Sequence, residues 1–336
     1  VFSNELEGSP KDFEPGAIVK LTDRKDAFLG IGYINPHSLI TVRILTHQRE
    51  AIDEGFFKRR ILAAIEYRRR IAGNIDSFRV VFSEGDFLPG LIVDKFDRCL
   101  SVQVLTLGME QWTDTVIQIL DEIYSPSVIV LRNDSPARLL EGLGQEKKVL
   151  KGGLEKLPVI NEDSLLFEID PLSGQKTGFF LDQRENRIAF SRLIEKGQGL
   201  DLFCYAGAWG IHPASRGAQV TFVDESETAI SALKRNLEIN NLSDRSAFRK
   251  VDVFQFLREE VSQGSSYDFI VLDPPAFVKS KAKVKEALKA TVRTLAQRRG
   301  QKAIALAEAA IDSAKAATAE EAYQAGLVDF LAADVP

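Results

Sequence analysis

Cysteine, histidine, methionine and tryptophan are all scarce in this 336-residue chain, at 2, 3, 1 and 2 residues respectively. With only Cys99 and Cys204 there is no disulfide framework, which points to a reducing compartment and a cytoplasmic protein. His37, His47 and His212 lie far apart and no Cys–His cluster has zinc-ligand spacing, so no metal site is expected. No apolar run is long enough to span a bilayer and no signal peptide is evident, which excludes the membrane as an expected partner. The chain opens at Val1 rather than Met, so an N-terminal piece is expected to precede it.

What is present is ordinary in bulk and uneven in detail. A hydrophobic fraction of 45% and a charged fraction of 27% suit a globular protein of two or three domains. The net charge of −5 is unevenly spread. Residues 1–72 carry +2, residues 73–170 carry −8, residues 171–289 carry +2 and the remaining tail −1. A phosphate backbone would therefore be met by the flanking parts rather than by the acidic centre.

Residues 1–47 read as a small β-rich module, with β-branched runs at 17–21 and 39–45 broken by Pro15-Gly16, Gly30, Gly32 and Asn35-Pro36. A helix follows over about 53–71, with Phe56, Ile61 and Ile65 near helical spacing. Its other faces carry Lys58, Arg59 and Arg60, then Arg68, Arg69 and Arg70. A solvated surface is the commoner fate of such clusters; beside a compact β-module, RNA contact is an equal expectation. Residues 73–170 give strands at 79–82, 90–94, 99–105, 128–132 and 165–169 around one helix at 112–123, a spacer without chemistry of its own. Residues 171–289 alternate strand and helix as a doubly wound fold does. Residues 290–336 are rich in Ala and Gln, helical in period, and add no further strand-and-glycine unit.

The chemistry gathers between Gly197 and Phe277. A strand carrying Asp201 leads into a loop with Gly207 and Gly210, and strands ending at Asp224, Asp252 and Asp273 follow. All these acids fall where a parallel sheet places ligands, so four strand tips are expected to face one nucleoside cofactor. Asp224 comes 23 residues after Asp201 and is placed to accept both ribose hydroxyls. Asp252 is placed to take the exocyclic amine of adenine. Helix capping is the alternative for any one acid; three in register argue against it for all. The loop lacks the G-x-G-x-x-G spacing of a nicotinamide dinucleotide site, which favours S-adenosylmethionine over an oxidoreductase reading. In Asp273-Pro274-Pro275-Ala276-Phe277, prolines stiffen the turn that presents the Asp273 carboxylate and the Phe277 ring, and such an aromatic can stack on an extruded base. Upstream, the run 173–184 mixes glycines, paired Phe179-Phe180 and flanking Lys176, Asp182 and Arg184, which reads as a cofactor lid rather than a linker.

These motifs, with Val1-Phe2-Ser3-Asn4-Glu5 and Leu88-Pro89-Gly90-Leu91-Ile92-Val93-Asp94, resemble the large-subunit ribosomal RNA cytosine-C5 methyltransferases of the RlmI type over residues 1–288. The resemblance implies an α/β chain: a PUA domain with the basic helix over 1–72, a central β-rich α+β domain over 73–170, and an incomplete Rossmann-like methyltransferase domain over 171–289. It implies that Phe203, Gly207, Asp224, Asp252 and Asp273 line an S-adenosylmethionine pocket that Lys176, Asp182 and Arg184 close. Asp273 and Phe277 are the expected catalytic residues, and ribosomal RNA the expected partner. In that family a cysteine thiolate adds to cytosine C6, C5 takes the methyl group, and loss of the C5 proton and the thiol restores the ring. The family's cysteine lies on a later strand that is absent here, and neither Cys99 nor Cys204 is a convincing substitute. Impaired activity is therefore expected, with RNA and cofactor binding without turnover as the alternative. The tail motifs at 291–300 and 317–329 instead resemble the end of a ClpP-class, NfeD-type serine protease without its catalytic Ser–Lys pair, as in a fused frame joined near 288–291. An unpaired sheet edge left by lost strands makes a homodimer a further expectation. Pro213 is expected to interrupt the first helix after the cofactor loop.

Overall fold

The computed structural model describes residues 1–73, 75–275 and 299–313 with the isolated positions 289, 293, 324 and 325. It divides into two compact units, Val1–Leu193 with Arg235–Asn241, and Ile194–Lys234 with Leu242–Pro336. Among the described residues no helix is long and apolar enough to cross a membrane.

The first unit begins with an antiparallel sheet of β1 (Ile18–Thr22), β2 (Phe28–Ile34) and β3 (Val42–Thr46). Gly30 and Gly32 do not break the chain here, as their composition suggested; they lie inside β2. A side chain at Gly32 would put its Cβ 2.2 Å from the Arg43 carbonyl oxygen, so glycine is what lets β3 close on β2. Helix α1 (Glu54–Ala72) starts where Asp53 accepts the Phe56 N–H at 2.9 Å and stops at Gly73. Its buried stripe of Phe56, Phe57, Ile61, Ala64 and Ile65 packs into the core of a five-stranded sheet, each large side chain contributing about 1.5–3 kcal/mol.

That sheet runs in the order β4 (Phe78–Phe82), β5 (Leu91–Phe96), β6 (Cys99–Val104), β7 (Val128–Asn133), β8 (Glu146–Lys151). Only β6 and β7 are parallel, joined through the short α2 (Leu107–Glu110) and α3 (Thr113–Tyr124); the other pairs are antiparallel. Helix α4 (Ala137–Leu140), the hairpin β9 (Val159–Glu162) and β10 (Leu165–Glu168), and α5 (Arg184–Arg192) complete the unit. Residues 1–72 and 73–170 thus share one compact body. Glu141 ties them, accepting from Asn35 Nδ2 at 2.9 Å, Ser38 Oγ at 2.8 Å and Arg43 Nη2 at 3.1 Å.

The second unit is built on four parallel strands in the order β13-β12-β11-β14, where β11 is Gln198–Leu202, β12 Gln219–Asp224, β13 Ser246–Lys250 and β14 Phe269–Leu272. Helices α6 (Ala208–Ser215), α7 (Glu227–Ile239) and α8 (Val253–Gln263) connect them, and α9 (Gln301–Ser313) lies in the tail. The order reverses between β11 and β14, which opens a crevice at the carboxyl ends of those strands. Helix α6 runs through Pro213 to Ser215 instead of being interrupted by it. Proline forfeits one backbone bond in the last turn, while Ile211, Pro213 and Ala214 gain core burial.

Candidate functional site

Strand β11 ends at Leu202, and the loop beyond it turns sharply. Phe203 and Tyr205 hold left-handed backbone angles of +60° and +48°, and Gly207 one of +80°. A side chain at Gly207 would place its Cβ 2.3 Å from Leu233 Cδ1. Beneath the loop, Asp201 is 1% exposed and its Oδ2 accepts the Gly210 N–H at 2.8 Å. Burial, opposed by the Gly210 N–H and helped by the neighbouring Asp273 and Asp224, pushes the Asp201 carboxyl up to about 8. The sequence suggested that Asp201 faces a ligand together with the other acids. The structure corrects this: its carboxyl points into the protein and braces the loop's own backbone, because Asp201 lies inside β11 rather than at its tip.

The remaining acids do lie at strand ends. Asp224 is half-buried at the end of β12; its Oδ2 accepts from Tyr205 N–H at 3.0 Å and its Oδ1 from Ser226 N–H at 2.9 Å. Asp273 is exposed just past β14. Asp252 is exposed and caps α8, with Oδ1 accepting from Gln255 N–H at 2.8 Å, so the capping alternative holds at this position. Phe203 is half-buried, its ring 6.1 Å from that of Phe254 in an edge-to-face pair. Loop and acids leave a sharply turned backbone beneath carboxylates at the switch point, a setting for a ligand with hydroxyls or positive charge. Phe277 lies outside the described residues.

Lys176, Asp182 and Arg184 belong to the first unit. Lys176 Nζ lies 3.2 Å from Asp182 Oδ2 and 4.3 Å from the centre of the Phe180 ring. Partial burial works against the Asp182 charge, but Lys176 outweighs it and the carboxyl sits below its ordinary range. Arg184 pairs with Glu185 at 2.9 Å. On α1, four of the six basic residues are engaged locally. Lys58 pairs with Glu122 at 2.8 Å and Arg59 with Glu50 at 2.7 Å. Arg60 reaches the Leu45 carbonyl and lies over the Phe56 and Phe87 rings, and Arg68 Nη2 bonds Asp86 Oδ2 at 2.7 Å. Arg69 and Arg70 are exposed.

Sequence reasoning missed the buried ion pairs that set these segments in place. Arg187 and Glu162 meet at 2.6 Å with side chains each 1% exposed. Arg79 bonds both oxygens of Asp94, at 2.8 and 2.9 Å. The available signal was an aspartate closing the apolar run Leu91-Ile92-Val93. Both cysteines are buried, and burial raises the Cys99 thiol to about 12 and lifts that of Cys204 well above its ordinary value, so neither is a ready thiolate.

A PUA-like domain model matches residues 1–47, and a model described as conserved hypothetical protein 95 matches residues 183–320. Ribosomal RNA large subunit methyltransferase I of Pseudoalteromonas translucida is 38% identical over 275 residues, covering 80% of this chain and 69% of that protein. The enzyme of the same name from Shewanella frigidimarina is 35% identical over 294 residues, covering 84% and 73%. The chain belongs to the ribosomal RNA large subunit methyltransferase family. Its fold agrees: a solved protein of Streptococcus mutans, described as a proposed SAM-dependent methyltransferase, superposes with a TM-score of 0.71 at 20% identity, covering 84% of this chain and 74% of the other. A related structure, SMU.776 complexed with S-adenosylhomocysteine, gives 0.72 at 20% identity over the same shares. The family assignment accounts for the PUA-like module at the start and the Rossmann-like sheet of the second unit. The tail motifs at 291–300 and 317–329 lie largely outside the described residues.

Proposed function

We propose that this chain takes the methyl group of S-adenosylmethionine and directs it to large-subunit ribosomal RNA, with cytosine C5 as the acceptor. The observation that carries the reading is the turned loop at Phe203–Gly207, braced by Asp201 and flanked by Asp224 at the switch point of the second unit. S-adenosylmethionine supplies an electrophilic methyl on a sulfonium. Gly207 lets the backbone come close, Asp224 retains lone pairs for ribose hydroxyls, and Asp252 keeps Oδ2 for the adenine amine. Asp273 offers a carboxylate near the sulfonium, and Phe203 an apolar wall. Lys176, Asp182 and Arg184 are assigned to the cofactor, and Phe277 to the base, on the family resemblance. Arg69 and Arg70 supply the phosphate contacts of the basic helix, and the cytoplasm is the proposed compartment.

Methylation at C5 needs a thiolate, and the only two cysteines of this chain are buried thiols. That observation favours a second reading, in which the chain binds RNA and cofactor without turnover. Incubating stripped large-subunit RNA with the chain and methyl-labelled S-adenosylmethionine separates the two. Label in 5-methylcytidine after nuclease digestion, lost in Asp273→Ala, supports catalysis. Cofactor binding by calorimetry without label transfer supports the second reading. Tighter binding of NADH than of S-adenosylhomocysteine overturns both.

A further inference from the structure

Where α1 ends, the first unit carries a hollow that the sequence gave no reason to expect. A cavity of about 120 Å³ is lined by Arg68 and Arg69 of α1, Phe78 of β4, Lys95 of β5 and Tyr124, the last residue of α3. A second cavity of about 260 Å³, reaching to Arg98, shares Asp76, Lys95 and Tyr124 with the first. All of these residues belong to the one compact unit. Tyr124 Oη is buried and has no hydrogen-bond partner among the described residues. Lys95 Nζ donates to the Asp76 carbonyl at 2.6 Å and lies 5.8 Å from the centre of the Tyr124 ring, and among the described residues it makes no ion pair. Arg69 and Arg98 are exposed and likewise make none there, whereas Arg68 is taken by Asp86.

Burial lowers the Lys95 ammonium below its usual value, and the charges of Asp76 and Asp97, both exposed at the rim, offset this only in part. Burial also pushes the Tyr124 hydroxyl up to about 12 against the pull of Arg69 and Arg68, so the group keeps its proton at neutral pH. The helix dipole accounts for part of the arrangement, since α1 and α3 both end here and a cation suits a helix C-terminus. It accounts for Arg69, but it leaves a buried hydroxyl with nothing to bond, which folded proteins rarely tolerate unless water or a ligand completes it. We infer that this cavity is an oxyanion site that takes one phosphoryl group, with Tyr124 Oη and Lys95 Nζ donating to its oxygens and Arg69 closing over it. The three donors stand on three different elements, and a tetrahedral phosphoryl group presents oxygens in several directions at once. A planar carboxylate presents only two. The phosphoryl group has two sources, a phosphodiester of RNA or a free phosphate. Only the first of these rests on the RNA-binding reading above.

Tyr124→Phe is the variant of choice, because it removes the hydroxyl and leaves every charge in place. The full chain is titrated calorimetrically with inorganic phosphate at constant ionic strength, with chloride as the balancing anion. Wild type is expected to bind phosphate and Tyr124→Phe to bind it about tenfold more weakly, the scale of a hydrogen bond to a charged group. Equal binding by the two proteins shows that cations alone hold the phosphate, and overturns the inference. A wild type that binds no phosphate overturns it too, since water then fills the cavity. If Tyr124→Phe does not fold, as read by circular dichroism, Lys95→Met takes its place under the same criteria. A ribosomal RNA fragment separates the two sources. If the phosphoryl group is the RNA's, Tyr124→Phe weakens the fragment by a similar factor and phosphate competes with it. The slope of log affinity against log salt then stays as in wild type, because no charge is lost. If Tyr124→Phe loses phosphate but holds the fragment like wild type, the site stands and its ligand is a free phosphate. A chain that binds no RNA defeats the proposed function and leaves the phosphate titration to decide the site.

Discussion

Asp94 in the first unit and Asp201 in the second make an instructive pair. Both are almost wholly buried inside strands whose neighbouring core positions are apolar. Asp94 receives two guanidinium N–H groups and a hydroxyl, so its charge is matched where it stands. Asp201 receives a single backbone N–H and feels two further carboxylates, and its carboxyl is pushed up to about 8. Burial alone therefore does not decide what a buried acid is; its partners do. In the five-stranded sheet the acid is an ionic node that pins a segment. In the parallel sheet it is a brace under the glycine loop held toward its protonated form, while Asp224 and Asp273 stand at the strand ends.

Removing the cation from the first site is the strongest way to break that contrast. Arg79→Ala strands a buried charge, and the expected loss is about 3–5 kcal/mol in urea unfolding followed by Trp112 fluorescence in a Trp209→Phe background. A loss below about 1 kcal/mol would mean that the Arg79–Asp94 pair does not hold this part of the sheet together. The second site is probed by pH. The ordinary aspartate value is about 3.9, so below about pH 4 folded and unfolded chains both hold the proton and Asp201 imposes no penalty. Between about pH 4 and 8 the unfolded chain ionises and the folded one does not, so stability falls as pH rises, by up to about 1.4 kcal/mol per unit. Above about 8 the contribution levels off. Asp201→Asn keeps an acceptor for the Gly210 N–H and is expected to flatten this slope, making the variant the more stable protein at pH 8. Urea midpoints at pH 5 and pH 8 check it; an unchanged slope means that Asp201 is ionised in the fold. Gly207→Ala should follow at about 1–3 kcal/mol, combining a left-handed angle with a Cβ that meets Leu233. Its readouts are the melting temperature and a weaker titration with S-adenosylhomocysteine.

Much of this was legible in the sequence, and the exceptions share a cause. Two of the parallel strands were readable because apolar runs ended at acids: β12 stops at Asp224 and Asp273 follows β14, whereas β13, Ser-Ala-Phe-Arg-Lys, is mostly exposed and lies before the Val251–Val253 stretch where the sequence suggested a strand end. Helix α1 was readable from its apolar spacing. Strand β2 was hidden by Gly30 and Gly32, whose value lies in what β3 does on the other side of the ladder. Strand β8, Glu-Lys-Lys-Val-Leu-Lys, is exposed at every position on a sheet edge and carries no burial pattern to read. Asp201 looked like the other acids because period and spacing cannot tell a strand tip from the position before it. The Asp94–Thr177 bond joins residues 83 apart, beyond any local signal.

The smallest expected effect concerns the basic helix, where the contrast between matched and unmatched charge recurs at the surface. Lys58, Arg59 and Arg68 already have carboxylate partners, and replacing them removes a local pair as well as a charge. Arg69 and Arg70 are exposed and make no ion pair among the described residues, so their charge is the part of the cluster available to a phosphate backbone. They also sit in the last turn of α1, where a cation complements the helix dipole by about 0.3–1 kcal/mol, so a variant must be checked for a small loss of stability before binding is compared. The double replacement Arg69→Ala, Arg70→Ala should weaken binding to ribosomal RNA fragments by a similar factor whatever their sequence. It should also lower the slope of log affinity against log salt by about one for each phosphate that an arginine no longer neutralises. Lys58→Ala should barely move that slope, since Glu122 has already neutralised the lysine. A slope that responds equally to both variants would show that the carboxylate partners on α1 give way to RNA, and local pairing would then say little about which cations meet phosphate.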